Sequence, residues 1–299
     1  MMMHDLGEFA GPFSGPYAAP AKLNLMLRVV GRRADGYHLL QTVFRFIDYC
    51  DTLHFRVRTD SLITRVNDIP GVSADSDLCV RAARALQAAA GAKTGAKLGA
   101  DIHLTKRIPM GGGLGGGSSD AATTLLALNA LWKCGLTKFQ LLDLSVKIGA
   151  DVPVFVFGEN AFAEGIGEAL QAINLPPAWY VVLCPPVSVP TATAFGHPDL
   201  KRDSEKVTIQ GFFEGQSGTV NDLQPVVVKQ YPEVARHLDW LAQHTSAAMM
   251  TGSGACVFAP FVGEAAEAEA QHVLAQLPSD MSGFVAQGLA RHPHYGLMN

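Results

Sequence analysis

Residues 109–120 run Pro-Met-Gly-Gly-Gly-Leu-Gly-Gly-Gly-Ser-Ser-Asp, and six of the seven residues from Gly111 to Gly117 are glycine. A chain without Cβ atoms can bring its N–H groups close around an oxyanion. The flanks decide between such a cradle and a flexible linker. Before the run, Asp101-Ile-His-Leu-Thr-Lys-Arg-Ile108 alternates in the manner of a strand. After it, Ala121, Leu125, Leu128 and Trp132 form an apolar helical stripe, which predicts a helix over 118–134 ended by Gly135. The helix N-terminus adds free N–H groups and the positive end of a dipole. Strand, loop and helix together predict a phosphate site.

Three common glycine loops can be tested against this one. The Walker type needs Gly-Lys followed by Ser or Thr, whereas the run here ends Gly117-Ser118-Ser119-Asp120 without a lysine. A dinucleotide fingerprint can be drawn through Gly111, Gly113 and Gly116. Its acidic partner, about 20 residues on, would fall near Asp143, inside a helical pattern, so the match is accidental. A protein-kinase loop calls for His-Arg-Asp and Asp-Phe-Gly segments, and neither occurs.

The chain has 299 residues, 48 % of them apolar, enough for a sizeable core in one large or two ordinary domains. The net charge of −4 gives no global field for nucleic acid or an anionic membrane, so neither partner is expected. No basic segment followed by an apolar core opens the chain, and no apolar run reaches the roughly 20 residues of a membrane span. The five cysteines are odd in number, widely spread and without metal spacing. They read as free thiols of a cytoplasmic protein. Oligomeric state is not encoded legibly.

Residues 1–18 are rich in glycine, proline and small residues and read as a loose arm. Strands are predicted over 23–30, 42–47 and 52–57, with a turn at Asp35-Gly36. An alanine-rich helix spans 77–90 and ends at Gly91. Thr137 caps a helix running to Gly149. Val152–Phe157 is short, apolar and buried. Asn174-Leu-Pro-Pro177 marks a boundary, giving domains over 19–175 and 176–299, the second opening with a strand over 179–183. Residues 200–220 read as a loop and Asn221-Asp222 as a helix cap. Helices are predicted at 232–244 and 264–276, and strands near 248–250, 255–261 and 284–287. The fold class is α+β, without a regular βαβ wind.

Lys22 lies in an apolar strand segment, where a lone lysine is more often a solvated edge residue. Asp151 follows a helix end, where it could equally be a polar turn residue. Phosphoryl transfer gives both a task. A kinase needs a phosphate cradle, positive charge at the transferred group and often a carboxylate on the acceptor hydroxyl. Asp151 would accept the hydroxyl proton, and Lys22 would keep that carboxylate ionised and stabilise developing charge. Tyr37 and His38 sit beside the Asp35-Gly36 turn, either as a half-buried hairpin aromatic with its neighbour or as a platform for a base. His292 and His294 lie in a mobile-looking tail with no further metal ligands. Thr251-Gly-Ser-Gly-Ala255 is a second glycine turn, weak evidence by itself.

The strand, Pro-x-Gly-Gly-x-Gly loop, Ser-Ser and helix resemble the GHMP small-molecule kinases, which include galactose, homoserine, mevalonate and phosphomevalonate kinases. Pro20–Asn24, Arg33–His38 with Gln41-Thr42, Gly149–Pro153 and Thr251–Ala255 extend the likeness over most of the chain. Ala34-Asp-Gly-Tyr-His38 narrows it to a member whose alcohol carries a cytidine diphosphate group. The resemblance implies a two-domain α+β fold with the site in the cleft between domains. It implies ATP held by Pro109, Met110, Gly111, Gly112, Gly113, Leu114, Gly115, Gly116, Gly117, Ser118 and Ser119. It implies Lys22 and Asp151 as the catalytic pair, and Tyr37 and Phe195 on either face of the cytosine with His38 at its edge. Asn24 and Thr191 complete the substrate contacts. Mg²⁺ is expected with ATP; Ser118, Ser119 and Asp120 are candidate ligands, and none is assigned. A kinase for another alcohol and a non-catalytic nucleotide-binding regulator are the alternatives. The Tyr37-His38 platform argues against the first, and the Lys22–Asp151 pair against the second.

Overall fold

Two long antiparallel strands, β1 (Ser14–Arg32) and β2 (His38–Arg58), organise the chain in the computed structural model, which describes residues 12–94, 97–215 and 220–298. Their hairpin turns at Asp35-Gly36, with Gly36 at φ 92°, as the sequence predicts. The segments predicted as separate strands at 42–47 and 52–57 are one continuous β2, because Cys50 and Asp51 pair with Pro20 and Ala19 and only Asp48 and Tyr49 fall in a register shift between them. Ala19 to Asn24 are all buried, so the middle of β1 is covered on both faces. Register shifts fall between Pro20 and Ala21 and between Asn24 and Met26. Such irregularities re-aim side chains, and here they bracket Lys22 and Asn24.

Along the chain follow β3 (Ile63–Arg65), α1 (Leu78–Thr94), β4 (Gly99–Thr105), α2 (Gly116–Leu131), α3 (Lys138–Val146), α4 (Val152–Phe157), β5 (Ala161–Glu164) and β6 (Ala169–Ala172). After them come β7 (Trp179–Leu183), α5 (Thr191–Gly196), α6 (Ile209–Phe213), α7 (Gln224–Gln230), α8 (Pro232–Ala242), β8 (Met249–Met250), β9 (Val257–Phe261), α9 (Ala266–Ala275), β10 (Gly283–Leu289) and a 3₁₀ turn, Tyr295–Met298. One path through the sheet runs β3-β4-β2-β10-β7-β9-β8. The join between its halves is narrow: Gly288 and Leu289 of β10 pair with Ile47 and Phe46 of β2. One apolar core lies under α1, α2 and α4, and contains Phe46, Phe55, Leu86, Leu125 and Phe155. A second joins β7 and β9 to α7, α8 and α9. Fully burying one such side chain is worth about 1.5–3 kcal/mol.

Several boundaries differ from expectation. α1 runs past Gly91, because one open glycine among alanines costs only about 1 kcal/mol. α2 starts two residues early and stops at Leu131, where Lys133 takes a positive φ of 54° ahead of Gly135. Thr137 does cap α3, with Gln140 completing a capping box, but the helix ends at Val146. The predicted loop over 200–220 contains α6, capped by Thr208. Asn221 and Asp222 stand just ahead of the α7 N-cap, Leu223, whose N–H donates to Asn221 Oδ1 at 3.0 Å. Asp222 instead accepts from the Val29 N–H at 2.7 Å.

The arm predicted over 1–18 is shorter among the described residues. Ser14, Tyr17 and Ala18 pair with Phe55, Leu53 and Thr52, while residues 1–11 lie outside the described set. The tail is docked: His292 is buried, and the His294 Nε2 accepts from the Ala18 N–H at 2.8 Å. The five cysteines are free thiols, as expected.

Candidate active site

Three left-handed glycines shape the loop, Gly111, Gly113 and Gly115, at φ 70°, 75° and 72°. Their conformation suits glycine alone, and so does their packing. A Cβ on Gly113 would stand 2.2 Å from the Thr251 carbonyl oxygen, and one on Gly112 2.6 Å from Cys256 Sγ. The second glycine turn is thus the wall of the first. Ala255 N–H donates to Gly111 O at 3.2 Å and Cys256 N–H to Gly112 O at 3.1 Å. Gly115 then begins α2 without a side-chain cap, which leaves first-turn N–H groups available to an anion.

Lys22 meets the loop from below. Its backbone N–H donates to Leu114 O at 2.9 Å, and its stem runs beneath Gly115. The lysine is 2 % exposed, so the solvated-edge expectation fails: both faces of β1 are covered at this point. Its Nζ donates to Asn24 Oδ1 and lies 3.5 Å from Asp151 Oδ2. Asp151 holds the N-cap position of α4 yet makes no capping hydrogen bond, and its side chain is 40 % exposed. Asn24 Nδ2 donates to Thr42 Oγ1 at 2.8 Å, and Asn24 N–H donates to Thr251 Oγ1 at 3.0 Å. The carboxamide of Asn24 therefore holds the Lys22 ammonium in place as well as facing the cleft.

The cleft has a volume of about 1050 Å³ and takes in Lys22, Asn24, Asp151, Tyr37, His38, Thr191, Phe195 and the loop from Pro109 to Ser118. Ser119 is the exception: it is fully buried behind this lining, with its Oγ unpartnered among the described residues. At one end Tyr37 is 60 % exposed, and the His38 and Phe195 rings are 5.1 Å apart and inclined by 31°. Thr191 Oγ1 hydrogen-bonds Ser253 Oγ at 3.0 Å. Burial, reinforced by the charges of Arg202 and Arg32, holds the His38 imidazole below its ordinary pKa, hence neutral near pH 7.

The opposite end was not anticipated. Ile69, Val72, Asp77, Leu78 and Leu104 line an apolar recess beside Gly116 and Gly117. Lys106 stands next to it, its Nζ paired with Asp51 and, at 2.7 Å, with Asp120. Asp51 also accepts the N–H groups of Arg107 and Ile108, fixing the approach to the loop. Burial pushes the Asp120 carboxyl up, opposed by the charge of Lys106. Asp120 Oδ1 is buried without a partner among the described residues. These residues are scattered over 69–106, and only Lys106, next to the loop, offered a local signal.

The GHMP kinase N-terminal domain family matches residues 77–159, and the GHMP kinase C-terminal family matches 209–282. A relative from Nitrosospira multiformis named 4-diphosphocytidyl-2-C-methyl-D-erythritol kinase is 60 % identical over 92 % of this chain and 91 % of its own. One of the same name from Thiobacillus denitrificans is 60 % identical over 92 % and 96 %. A solved 4-(cytidine 5'-diphospho)-2C-methyl-D-erythritol kinase superposes with a TM-score of 0.76 at 32 % identity, covering 92 % of this chain and 99 % of that one. A solved mevalonate kinase, at 16 % identity and a TM-score of 0.65, shares the fold. The chain belongs to the GHMP kinases and, within them, to the 4-diphosphocytidyl-2-C-methyl-D-erythritol kinases.

Proposed function

We propose that this enzyme transfers the γ-phosphoryl group of ATP to the 2-hydroxyl of 4-diphosphocytidyl-2-C-methyl-D-erythritol, in the methylerythritol phosphate route to isoprenoid precursors, in the cytoplasm. The observation that carries this reading is the meeting of Lys22 and Asp151, 3.5 Å apart, with the lysine stem packed under Gly115 of the glycine loop. The triphosphate lies along Gly111–Ser118, with the adenine in the recess around Leu78 and Leu104. Residues 19–175 supply most of this nucleotide half, and 176–299 supply the wall at Thr251–Ala255 and the Phe195 face. Asp151 accepts the proton of the attacking hydroxyl, and Lys22 stabilises charge developing on the transferred group. The cytosine stacks between Tyr37 and Phe195, with His38 at its edge and Thr191 nearby.

Magnesium fits the residues present. Among the described residues no cluster of three acidic, histidine or cysteine ligands exists, so the metal would rely on ATP oxygens plus few protein oxygens. Asp120 and Ser118 line the cleft, and the unpartnered Asp120 Oδ1 and the Ser118 hydroxyl would hold the metal. Held there, Mg²⁺ would offset the negative charge of the triphosphate.

A crystal grown with a non-hydrolysable ATP analogue and the cytidyl alcohol tests the arrangement. The expected result is the triphosphate on the loop and the 2-hydroxyl within hydrogen-bond reach of Asp151. An acceptor hydroxyl remote from Asp151 would reject the assignment.

A further inference from the structure

One guanidinium joins a wall of the proposed base site to its edge. Arg202 lies in the segment between α5 and α6 and is half-buried. Its Nη2 donates to the carbonyls of Phe195 at 3.1 Å and His197 at 2.8 Å. Its Nη1 donates to Leu200 O at 3.0 Å. Phe195 lies in the last turn of α5, where carbonyls lack partners within the helix, and His197 is its C-cap, whose carbonyl also accepts from the Leu200 N–H at 3.2 Å. Its third donor nitrogen, Nε, reaches His38 Nε2 at 3.2 Å, across 164 positions of sequence.

A neutral imidazole has one donor and one acceptor nitrogen. Since Arg202 can only donate, the nitrogen it meets must accept, and the proton must sit on Nδ1. The charge of Arg202 also disfavours the imidazolium. His38 is therefore held as a donor through Nδ1, in a fixed ring orientation against Phe195. The ring nitrogen N3 of cytosine carries a lone pair, whereas the same position in uracil carries N–H. A fixed N–H donor opposite that edge matches cytosine and opposes uracil.

We propose that Arg202 is a positioning residue for recognition of the pyrimidine. It fixes the His38 tautomer and the seat of Phe195 together, and so sets the preference for cytosine over uracil. This rests on the stacked-base reading above. Arg202→Lys keeps the charge but cannot reach His38 and the α5 carbonyls at once.

The test compares wild type, Arg202→Lys and Tyr37→Ala with the cytidyl alcohol and its uridyl counterpart. Wild type should prefer the cytidyl form by at least about 10²-fold in kcat/KM. In Arg202→Lys, KM for the cytidyl alcohol should rise about tenfold or more and that preference should shrink by a similar factor. Its KM for ATP and its kcat at saturating alcohol should change little, which separates positioning from general damage. Nitrogen NMR of the wild-type imidazole should show Nε2 unprotonated, and a protonated Nε2 would overturn the proposal. So would an Arg202→Lys protein with unaltered cytidyl KM and preference, or one in which both alcohols and ATP weaken together. If Tyr37→Ala is equally silent, the stacked-base reading falls and takes this assignment with it; if only Arg202→Lys is silent, the assignment alone fails.

Discussion

Asp151 and Lys22 illustrate how far single residues can be read. Each has an ordinary explanation in sequence, and it is their approach at the loop that gives them a shared task. Asp151→Asn keeps the shape of the side chain and removes its basicity. Turnover should fall roughly 10²-fold or more while ATP affinity, measured by calorimetry, stays nearly intact. Wild-type turnover in that variant would remove Asp151 as the base. Tyr37→Ala should weaken the cytidyl substrate by about 1–3 kcal/mol, read as its dissociation constant, if the exposed ring is a stacking platform. The contacts that sequence reasoning missed share one property. Thr251 reaches Asn24 across 227 positions and Arg202 reaches His38 across 164. Neither carries a local motif naming its partner. The burial of Lys22 was equally hidden, since the second cover on β1 comes from remote segments.

At the scale of elements, the strand, glycine loop and helix were legible because each rests on local periodicity and on chain flexibility. What makes each glycine necessary was not legible, because the opposing wall comes from elsewhere. Gly113→Ala forces a Cβ against the Thr251 carbonyl at a φ that alanine disfavours. It should lower the melting temperature measurably, by more than about 2 kcal/mol in stability. Gly117 differs: it has no positive φ, and its Cβ would meet only Leu78 Cδ1, at 3.5 Å. Gly117→Ala should leave thermal stability unchanged or raise it by up to about 1 kcal/mol. Calorimetry of the two variants without ligand checks the contrast, and equal losses would contradict the packing account. α6 escaped notice because five residues give little periodicity.

The whole molecule is closed by its tail, which crosses back to β1 and β2. His292 accepts from the His294 N–H through Nδ1, and burial holds its imidazole at a pKa of about 3. Burial lowers His294 as well. A histidine with a depressed folded pKa stabilises the fold above its ordinary value of 6.5, and that contribution is lost as pH falls toward 3. Urea unfolding should therefore show stability dropping by up to about 1.4 kcal/mol per pH unit below 6.5 from this residue. His292→Asn preserves an acceptor and removes the titration, so its slope should be shallower over the same range; an unchanged slope would place the acid sensitivity elsewhere. The α+β class was readable from strand and helix patterns, whereas the cleft between domains came only with the family resemblance. The docked tail was not, because its burial depends on a face that only the folded β-hairpin creates.

The most direct measurement is ADP release by the purified enzyme with ATP and Mg²⁺, in the presence of the cytidyl alcohol, of mevalonate, or of no acceptor. The account predicts rapid release with the cytidyl alcohol alone, accompanied by its 2-phosphate, and only background in the other two. Release that ignores the cytidyl alcohol, or that follows mevalonate instead, would contradict it.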